Sequence, residues 1–237
     1  MNSRLNSDFD KAIKLITTDS SREELFDTLR LGTTVEKQIS AIKLNDIKNE
    51  DEAEIFISNL TKCDGKIREV VALKFYEFSK DSYMNTLLSG YPDIVADATI
   101  DIDSNVCRYI IDSLCYYKDK ENFVKVYLDF ILGFINDALQ ELTTFSFKDK
   151  KYKYNKQYFK LYWCLEALCV LYEFVDKNVL KELASKCIDC PEYTIREKIA
   201  KLIKITKIED STLITKLEND ENYYVKNINR VALDRPH

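Results

Sequence analysis

Apolar residues recur at spacings of three and four along almost the whole chain, while alternating runs typical of half-buried strands are nearly absent. This spacing puts the apolar side chains on one face of an amphipathic helix. Polar capping residues precede several of the apolar runs, among them Ser21 with Glu24 at capping-box spacing, Asp64 and Asp103. The pattern predicts helices over residues 8–17, 21–30, 34–46, 51–61, 66–79, 82–90, 91–100, 105–117, 120–144, 156–175, 177–188, 193–206, 209–218 and 223–233.

Short polar connections separate these predicted helices, and the sequence therefore predicts an all-α fold. Two arrangements of about a dozen similar helices remain open at this point, a globular bundle without repeats and a stack of helical pairs. A search for internal repeats separates the two, because a stack requires the same pattern to return along the chain.

Four segments share one pattern of polar and apolar positions. Each begins with a polar capping residue, has an aliphatic residue three positions later, and usually has further apolar residues four and eight positions beyond that. A basic residue directly follows the first aliphatic residue in three segments and comes one position later in the other. The segments are 64–75, 103–114, 192–203 and 222–233, and two intervals between their aliphatic anchors are 39 and 30 residues.

This pattern resembles the second helix of HEAT repeats, in which Asp is followed after a short gap by Val-Arg and then by Ala and Leu. The resemblance is strongest at 64–79 and 192–204 and is absent from the middle of the chain. It implies a right-handed α-solenoid of about five to six HEAT-like helical pairs. These would form a single domain over 1–237, with a longer irregular repeat region at 118–190. A non-repeating helical bundle is the alternative.

The composition excludes several classes of chemistry. The chain has four Gly, and these are too scattered to build a glycine-rich phosphate loop or a dinucleotide-binding fingerprint. Its one histidine, His237, leaves no general base for Ser-His-Asp or Cys-His catalysis. We therefore expect no enzyme activity and no cofactor.

The seven cysteines lie mostly inside apolar helical runs, and the segment 1–8 has no apolar signal core. We therefore expect reduced cysteines in a cytoplasmic protein. Cys187 and Cys190 form the one C-x-x-C pair, which without a second pair predicts no zinc site, so we expect no bound metal. The most apolar stretch, 123–139, is interrupted by charged residues, and we expect no membrane span.

The recurring basic residues of the repeat are the first candidate binding residues. They are Arg68, Arg108, Arg196 and Lys226. On a concave face they would form a row of cations for phosphate or carboxylate groups. In the interpretation that the HEAT resemblance favours, each instead meets an acidic residue at a neighbouring turn and fixes the spacing of the repeats.

The segment 148–160 is the most distinctive stretch, because it has six lysines and one aspartate in a chain of net charge −5. Lysines alternating with tyrosines could hold nucleic-acid phosphates while the rings stack on bases. The favoured alternative is a solvated loop that leads into an amphipathic helix. The candidate binding residues of this segment are Lys150, Lys151, Tyr152, Lys153 and Tyr154.

These observations favour a non-enzymatic scaffold or adaptor that binds a protein partner along the concave face of a solenoid. The first alternative is an acidic immunity or inhibitor protein that neutralises a basic toxin or nuclease, since the chain contains acidic stretches at 46–54 and 93–103. The second is a nucleic-acid-binding HEAT-like protein that uses the Lys148–Lys160 segment, which the acidic sequence pI of about 5.2 disfavours. We expect a monomer that binds no membrane.

Overall fold

The structure is a computed structural model that describes residue 10 and residues 13–144 and 151–228. Over these residues the chain is all-α and has no strand, so the predicted fold class is confirmed. It divides into two compact units, 1–127 and 128–237, with the boundary inside a long helix. The prediction of one domain over 1–237 stays a prediction.

The helices begin and end close to their predicted positions. Residues 13–17 are helical, and two short 3-10 segments occupy Leu114–Tyr117 and Tyr172–Phe174. The α-helices that follow residue 20 are α1 Arg22–Leu31, α2 Thr34–Lys43, α3 Glu50–Ile57, α4 Gly65–Phe78, α5 Ser82–Leu88, α6 Pro92–Thr99, α7 Ser104–Ser113, α8 Glu121–Thr144, α9 Lys151–Leu171, α10 Lys177–Cys187, α11 Tyr193–Thr206, α12 Ser211–Glu218 and α13 Tyr223–Asn227. The predicted helix 223–233 extends beyond the described residues.

Side-chain caps set several of the helix starts. Ser21 and Glu24 form the expected capping box, in which the Ser21 hydroxyl accepts from the Glu24 amide and the Glu24 carboxylate accepts from the Ser21 amide. Asp64 and Asp103 cap α4 and α7 through their carboxylates. These caps satisfy amide groups that the helix itself leaves without acceptors.

We call α2, α4, α7, α9, α11 and α13 second helices, because each would be the later helix of a predicted helical pair, and within each unit they pack against one another in chain order. In the first unit α2 packs against α4, α4 packs against α7, and α6 packs against α7. In the second unit α9 and α10 both pack against α11, and α11 packs against α13. Contacts therefore run in chain order from α2 through α4 to α7 in the first unit, and from α9 through α11 to α13 in the second.

An aromatic column forms the core of the first unit. The rings of Tyr117 and Phe123 stack at 4.4 Å between centroids, and those of Phe123 and Tyr127 stack at 5.7 Å. The Tyr117 hydroxyl is 2.9 Å from the Ser79 hydroxyl, and the Tyr127 hydroxyl is 2.7 Å from the Thr99 hydroxyl. The column is thus apolar along its stack and hydrogen-bonded at both buried phenols.

Three thiols are buried in the second unit, and burial raises the pKa of Cys164, Cys169 and Cys187 to about 12. In the unfolded chain these thiols ionise near pH 8.5, more than three units lower. Above that pH the folded state binds more protons than the unfolded state, so stability falls as pH rises.

We expect the second unit to lose up to about 1.4 kcal/mol of stability per thiol for each pH unit between about pH 9 and about pH 11. Urea unfolding under reducing conditions at several pH values measures this slope. Cys169→Ala should flatten the slope by the contribution of one thiol, and an unchanged slope in this variant would contradict the assignment.

Candidate functional site

Arg196 lies at the start of α11 and is held by Asp220, which follows α12, and by the backbone that precedes α11. Its Nε donates to Asp220 Oδ2 at 2.6 Å and its Nη2 donates to Asp220 Oδ1 at 3.0 Å. Its Nη1 donates to the carbonyl oxygens of Cys190 and Pro191 at 2.7 and 3.0 Å. Hydrogen bonding to this guanidinium holds the pKa of the Asp220 carboxyl below its usual value. Arg196 is only 7% exposed, so its guanidinium is paired inside the protein and is not presented to a partner.

Arg68 makes the same arrangement at the start of α4. Its Nε donates to Asp101 Oδ2 at 2.6 Å, its Nη2 to Asp101 Oδ1 at 3.0 Å, and its Nη1 to the Cys63 carbonyl. Asp101 lies two residues before the N-cap Asp103 and accepts its amide at 2.8 Å. Asp220 accepts the amide of the N-cap Asn222 in the same way and at the same distance. The same arrangement therefore occurs once in each unit: an arginine pairs with an aspartate that also accepts the amide of the N-cap residue two positions later.

The other two basic residues of the repeat differ from these. Arg108 is exposed on α7 and makes no ion pair with the part of the chain that is described. Lys226 is half-buried on α13 and contributes to the lowered pKa of Asp220 without a direct bond to it. The four basic residues thus do not form one row of equivalent cations.

Arg22, which was not among the candidate residues, is a third arginine paired with carboxylates from a later part of the chain. Its guanidinium forms hydrogen-bonded ion pairs with Asp46 and Glu52, and it lies 5.4 Å from the centroid of the Phe26 ring. Its position directly after the N-cap Ser21, together with the acidic stretch 46–54, was the available signal.

The Lys148–Lys160 segment is helical from Lys151 onward, which corrects the expectation of a loop before a helix starting at 156. Tyr152 is 80% exposed, Lys153 is also exposed, and Tyr154 is half-buried with its ring 6.0 Å from that of Tyr158. Positions two apart on a helix differ by about 200° around its axis, so Tyr152 and Tyr154 lie on different faces. Lys150 lies outside the described residues.

Charged groups on the facing sides of α9 and α11 are also paired within the second unit. Glu166 of α9 lies 2.6 Å from Lys198 Nζ and 2.8 Å from Lys201 Nζ. Burial raises the pKa of Glu166, but the two ammonium groups outweigh it and leave the pKa below its usual value. Glu166 is therefore ionised at neutral pH, which is unsuitable for a general acid.

Three tyrosines in the first unit lie together at the surface where α4 meets α7. The ring of Tyr76 is 6.5 Å from that of Tyr109 and 6.3 Å from that of Tyr116, centroid to centroid. Lys80 Nζ lies 3.9 Å from the centroid of the Tyr76 ring. Tyr116 is 38% exposed, Tyr76 and Tyr109 are half-buried, and Lys80 is exposed. We call Tyr76, Tyr109, Tyr116 and Lys80 the tyrosine surface.

Buried neighbours fix the position of the tyrosine surface. Phe75 and Ile110, next to Tyr76 and Tyr109 in sequence, are fully buried on the other sides of α4 and α7. The Tyr116 carbonyl oxygen accepts a hydrogen bond from the side-chain Nδ2 of the buried Asn85 at 3.0 Å. Partial burial, the adjacent Cys115 and the Tyr76 phenol raise the pKa of Tyr116, so its phenol is neutral at physiological pH.

These tyrosines were not candidate residues, because a tyrosine on an amphipathic helix fits a core position as well as a surface one. The available signal was spacing. Tyr76 and Lys80 are four residues apart, and Tyr109 and Tyr116 are seven apart, which are spacings that bring side chains to one side of a helix. In the structure Lys80 lies in the turn directly after α4, and Tyr116 lies in the 3-10 segment directly after α7.

Two other properties of the described residues bear on function. No helix among them is long and apolar enough to cross a membrane. Nor do they contain a group of three or more His, Cys, Asp or Glu side chains placed to hold a metal ion.

No protein-family model and no curated protein matches the chain. One solved structure with a similar backbone is that of an engineered protein from the Northeast Structural Genomics Consortium, which is 14% identical. The match covers 88% of this chain and 93% of that one, with a TM-score of 0.46. At this TM-score the similarity carries no argument about fold or function.

Proposed function

We propose that the chain is a non-enzymatic, cytoplasmic scaffold whose tyrosine surface binds a partner protein. The observation that carries this proposal is a cluster of three partly exposed tyrosines, in which the Tyr76 ring of α4 lies next to Tyr109 of α7 and next to Tyr116 of the 3-10 segment after α7. Tyrosine is enriched in protein interfaces, where it contributes a large contact area at a small cost in side-chain entropy. Contacts between the rings already restrict them before a partner binds.

A HEAT-like solenoid is the architecture that we propose for this scaffold. The contacts between second helices within each unit and the repeated Arg68–Asp101 and Arg196–Asp220 connections support it. In such a stack the second helices line the concave face, and Tyr76 and Tyr109 of the tyrosine surface lie on two of them, α4 and α7.

The acidic inhibitor is a second candidate, because the acidic stretches 46–54 and 93–103 both lie in the first unit. Burial and the carboxylates of Glu54, Glu50 and Asp51 raise the pKa of Tyr91. Burial and Asp93 in turn raise the pKa of Asp97 on α6, the helix that follows Tyr91. Such a concentration of negative charge would attract a basic partner.

Affinity capture from the cells that express the protein tests the tyrosine surface. We expect the double variant Tyr109→Ser/Tyr116→Ser to lose at least about tenfold in affinity for a partner that the unaltered chain retains, because two interface aromatics are removed. Tyr152→Ser is the matched control, since Tyr152 is 80% exposed and lies on α9 in the other unit.

The three outcomes separate the proposals. Loss of the partner in the double variant alone supports the tyrosine surface. Loss in Tyr152→Ser alone would contradict it and favour the Lys148–Lys160 segment. An equal partner yield from all three proteins would exclude both surfaces. Urea unfolding of each variant checks that the first unit remains folded.

A further inference from the structure

We infer that the tyrosine surface binds a lysine or arginine side chain from a basic segment of the partner, at the position that Lys80 now occupies. This inference rests on the proposed function, because it specifies the chemistry of what the same surface binds. It starts from Lys80, whose ammonium lies 3.9 Å from the centroid of the Tyr76 ring. A cation over an aromatic face at this distance is attracted by the electron density of the ring.

The ring contact is the one close contact of the Lys80 ammonium with the described part of the chain, and its charge also opposes the rise in the pKa of the Tyr116 phenol. The side chain is exposed, and its ammonium forms neither a salt bridge nor a hydrogen bond there. Lys74, on α4 just before this turn, pairs with Glu77 at 3.0 Å. Lys80 is therefore held by the aromatic ring and by no carboxylate, so a second cation can replace it without breaking an ion pair.

The other two tyrosines extend the site beyond a single ring. Tyr109 and Tyr116 both lie within 6.5 Å of Tyr76, centroid to centroid. Lysine and arginine stems are apolar up to their charged groups and can pack along such rings while the cation stays partly hydrated. Clusters of aromatic rings are a recurring solution for binding organic cations.

The charge of the first unit favours a basic partner segment. Residues 1–127 contain 17 Lys and Arg against 23 Asp and Glu, whereas residues 128–237 contain 18 against 17. The net charges are therefore −6 and +1, so the negative charge of the chain lies in the unit that contains the tyrosine surface. A negative field raises the association rate of a cationic segment, and the rings provide the short-range contact.

Because Lys80 would compete with a partner cation for the Tyr76 ring, removing its ammonium group tests the inference. An exposed cation–π contact contributes about 0.5–1 kcal/mol, and a partner cation must first displace it. Lys80→Met keeps an apolar stem and removes the competing ammonium, so it should tighten binding of a cationic peptide about two- to fivefold. Lys66→Met removes the same charge from α4 at an exposed position away from the rings, and is the control for net charge.

The experiment is a calorimetric titration of the full-length chain with an oligoarginine peptide, and with an oligoglutamate peptide of equal length. We expect oligoarginine to bind, Lys80→Met to bind it more tightly than Lys66→Met, and Tyr109→Ser/Tyr116→Ser to bind it more weakly. Equal gains in the two lysine variants would overturn the inference, because the effect would then be general charge attraction. Stronger binding of oligoglutamate would also overturn it.

The single variant Tyr116→Leu keeps the test decisive if the double variant fails to fold. Tyr116 is partly exposed, and leucine retains apolar contact without a π face. Oligoarginine binding that is unchanged in Tyr116→Leu and in Lys80→Met would reject the cation site. If affinity capture still showed that Tyr109 and Tyr116 are needed for the natural partner, the proposed function would stand without this inference.

Discussion

Arg196→Met should lower the free energy of unfolding of the second unit by about 3–5 kcal/mol, the range for removing one partner of a buried ion pair. The variant leaves Asp220, whose side chain is 9% exposed, with the Asn222 amide as its remaining hydrogen-bond donor in the described part of the chain. It also removes the donor to the carbonyls of Cys190 and Pro191. Urea unfolding followed by far-ultraviolet circular dichroism measures the loss.

Arg108→Met is the control, because Arg108 is an exposed arginine on a second helix and makes no ion pair with the described residues. It should change stability by no more than about 0.5 kcal/mol. Arg196→Met/Asp220→Asn should recover part of the loss, since it removes the unpaired charge as well. A loss below about 1 kcal/mol in Arg196→Met would mean that the pair is solvated, contrary to its burial.

The distribution of the effect tests the proposed stack of helical pairs. If each helical pair is stabilised mainly by the pairs next to it, Arg196→Met should reduce amide protection in α10, α11 and α12, while α4 and α7 keep theirs. Hydrogen exchange measured by mass spectrometry resolves these segments. A uniform loss of protection along the chain would favour a single cooperative bundle.

The predicted helices agree with the structure where the sequence contains both an apolar period and a cap. Helix α11 begins and ends at the predicted residues, and α1 begins after the predicted cap Ser21. Helix α9 begins five residues earlier than predicted, because the density of lysines suggested a solvated loop. Lysine is a good helix former, and the packing of Tyr154 on Tyr158 is a contact that a helix makes at this spacing.

Less of the candidate site could be predicted than of the fold. The repeat pattern indicated that an arginine would recur near the start of a second helix, and suggested an acidic partner at a neighbouring turn. Naming Asp101 or Asp220 required the placement of the next helical pair, which lies 33 or 24 residues further along the chain. The tyrosine surface required still more, because Tyr76 meets Tyr109 only when α4 and α7 pack at one particular register.

Phe123→Ala should cost the first unit about 3–5 kcal/mol, the usual range for deleting a fully buried phenylalanine. Phe123 is 1% exposed and its ring stacks between those of Tyr117 and Tyr127. Its removal leaves a cavity between two phenols whose hydroxyls are held by Ser79 and Thr99. Because these hydrogen bonds fix both tyrosines, the column cannot close the cavity without breaking one of them.

Phe130→Ala is the matched control on the same helix, since Phe130 is 40% exposed and contacts Phe134 at its surface. It should cost no more than about 1 kcal/mol, in proportion to the smaller apolar area that it buries. Urea unfolding compares the two variants, and near-ultraviolet circular dichroism follows the tyrosines. Equal losses would show that the aromatic column is not tightly packed.

Tyr116 directly precedes Tyr117, so loosening the column should also weaken oligoarginine binding in Phe123→Ala and leave it unchanged in Phe130→Ala.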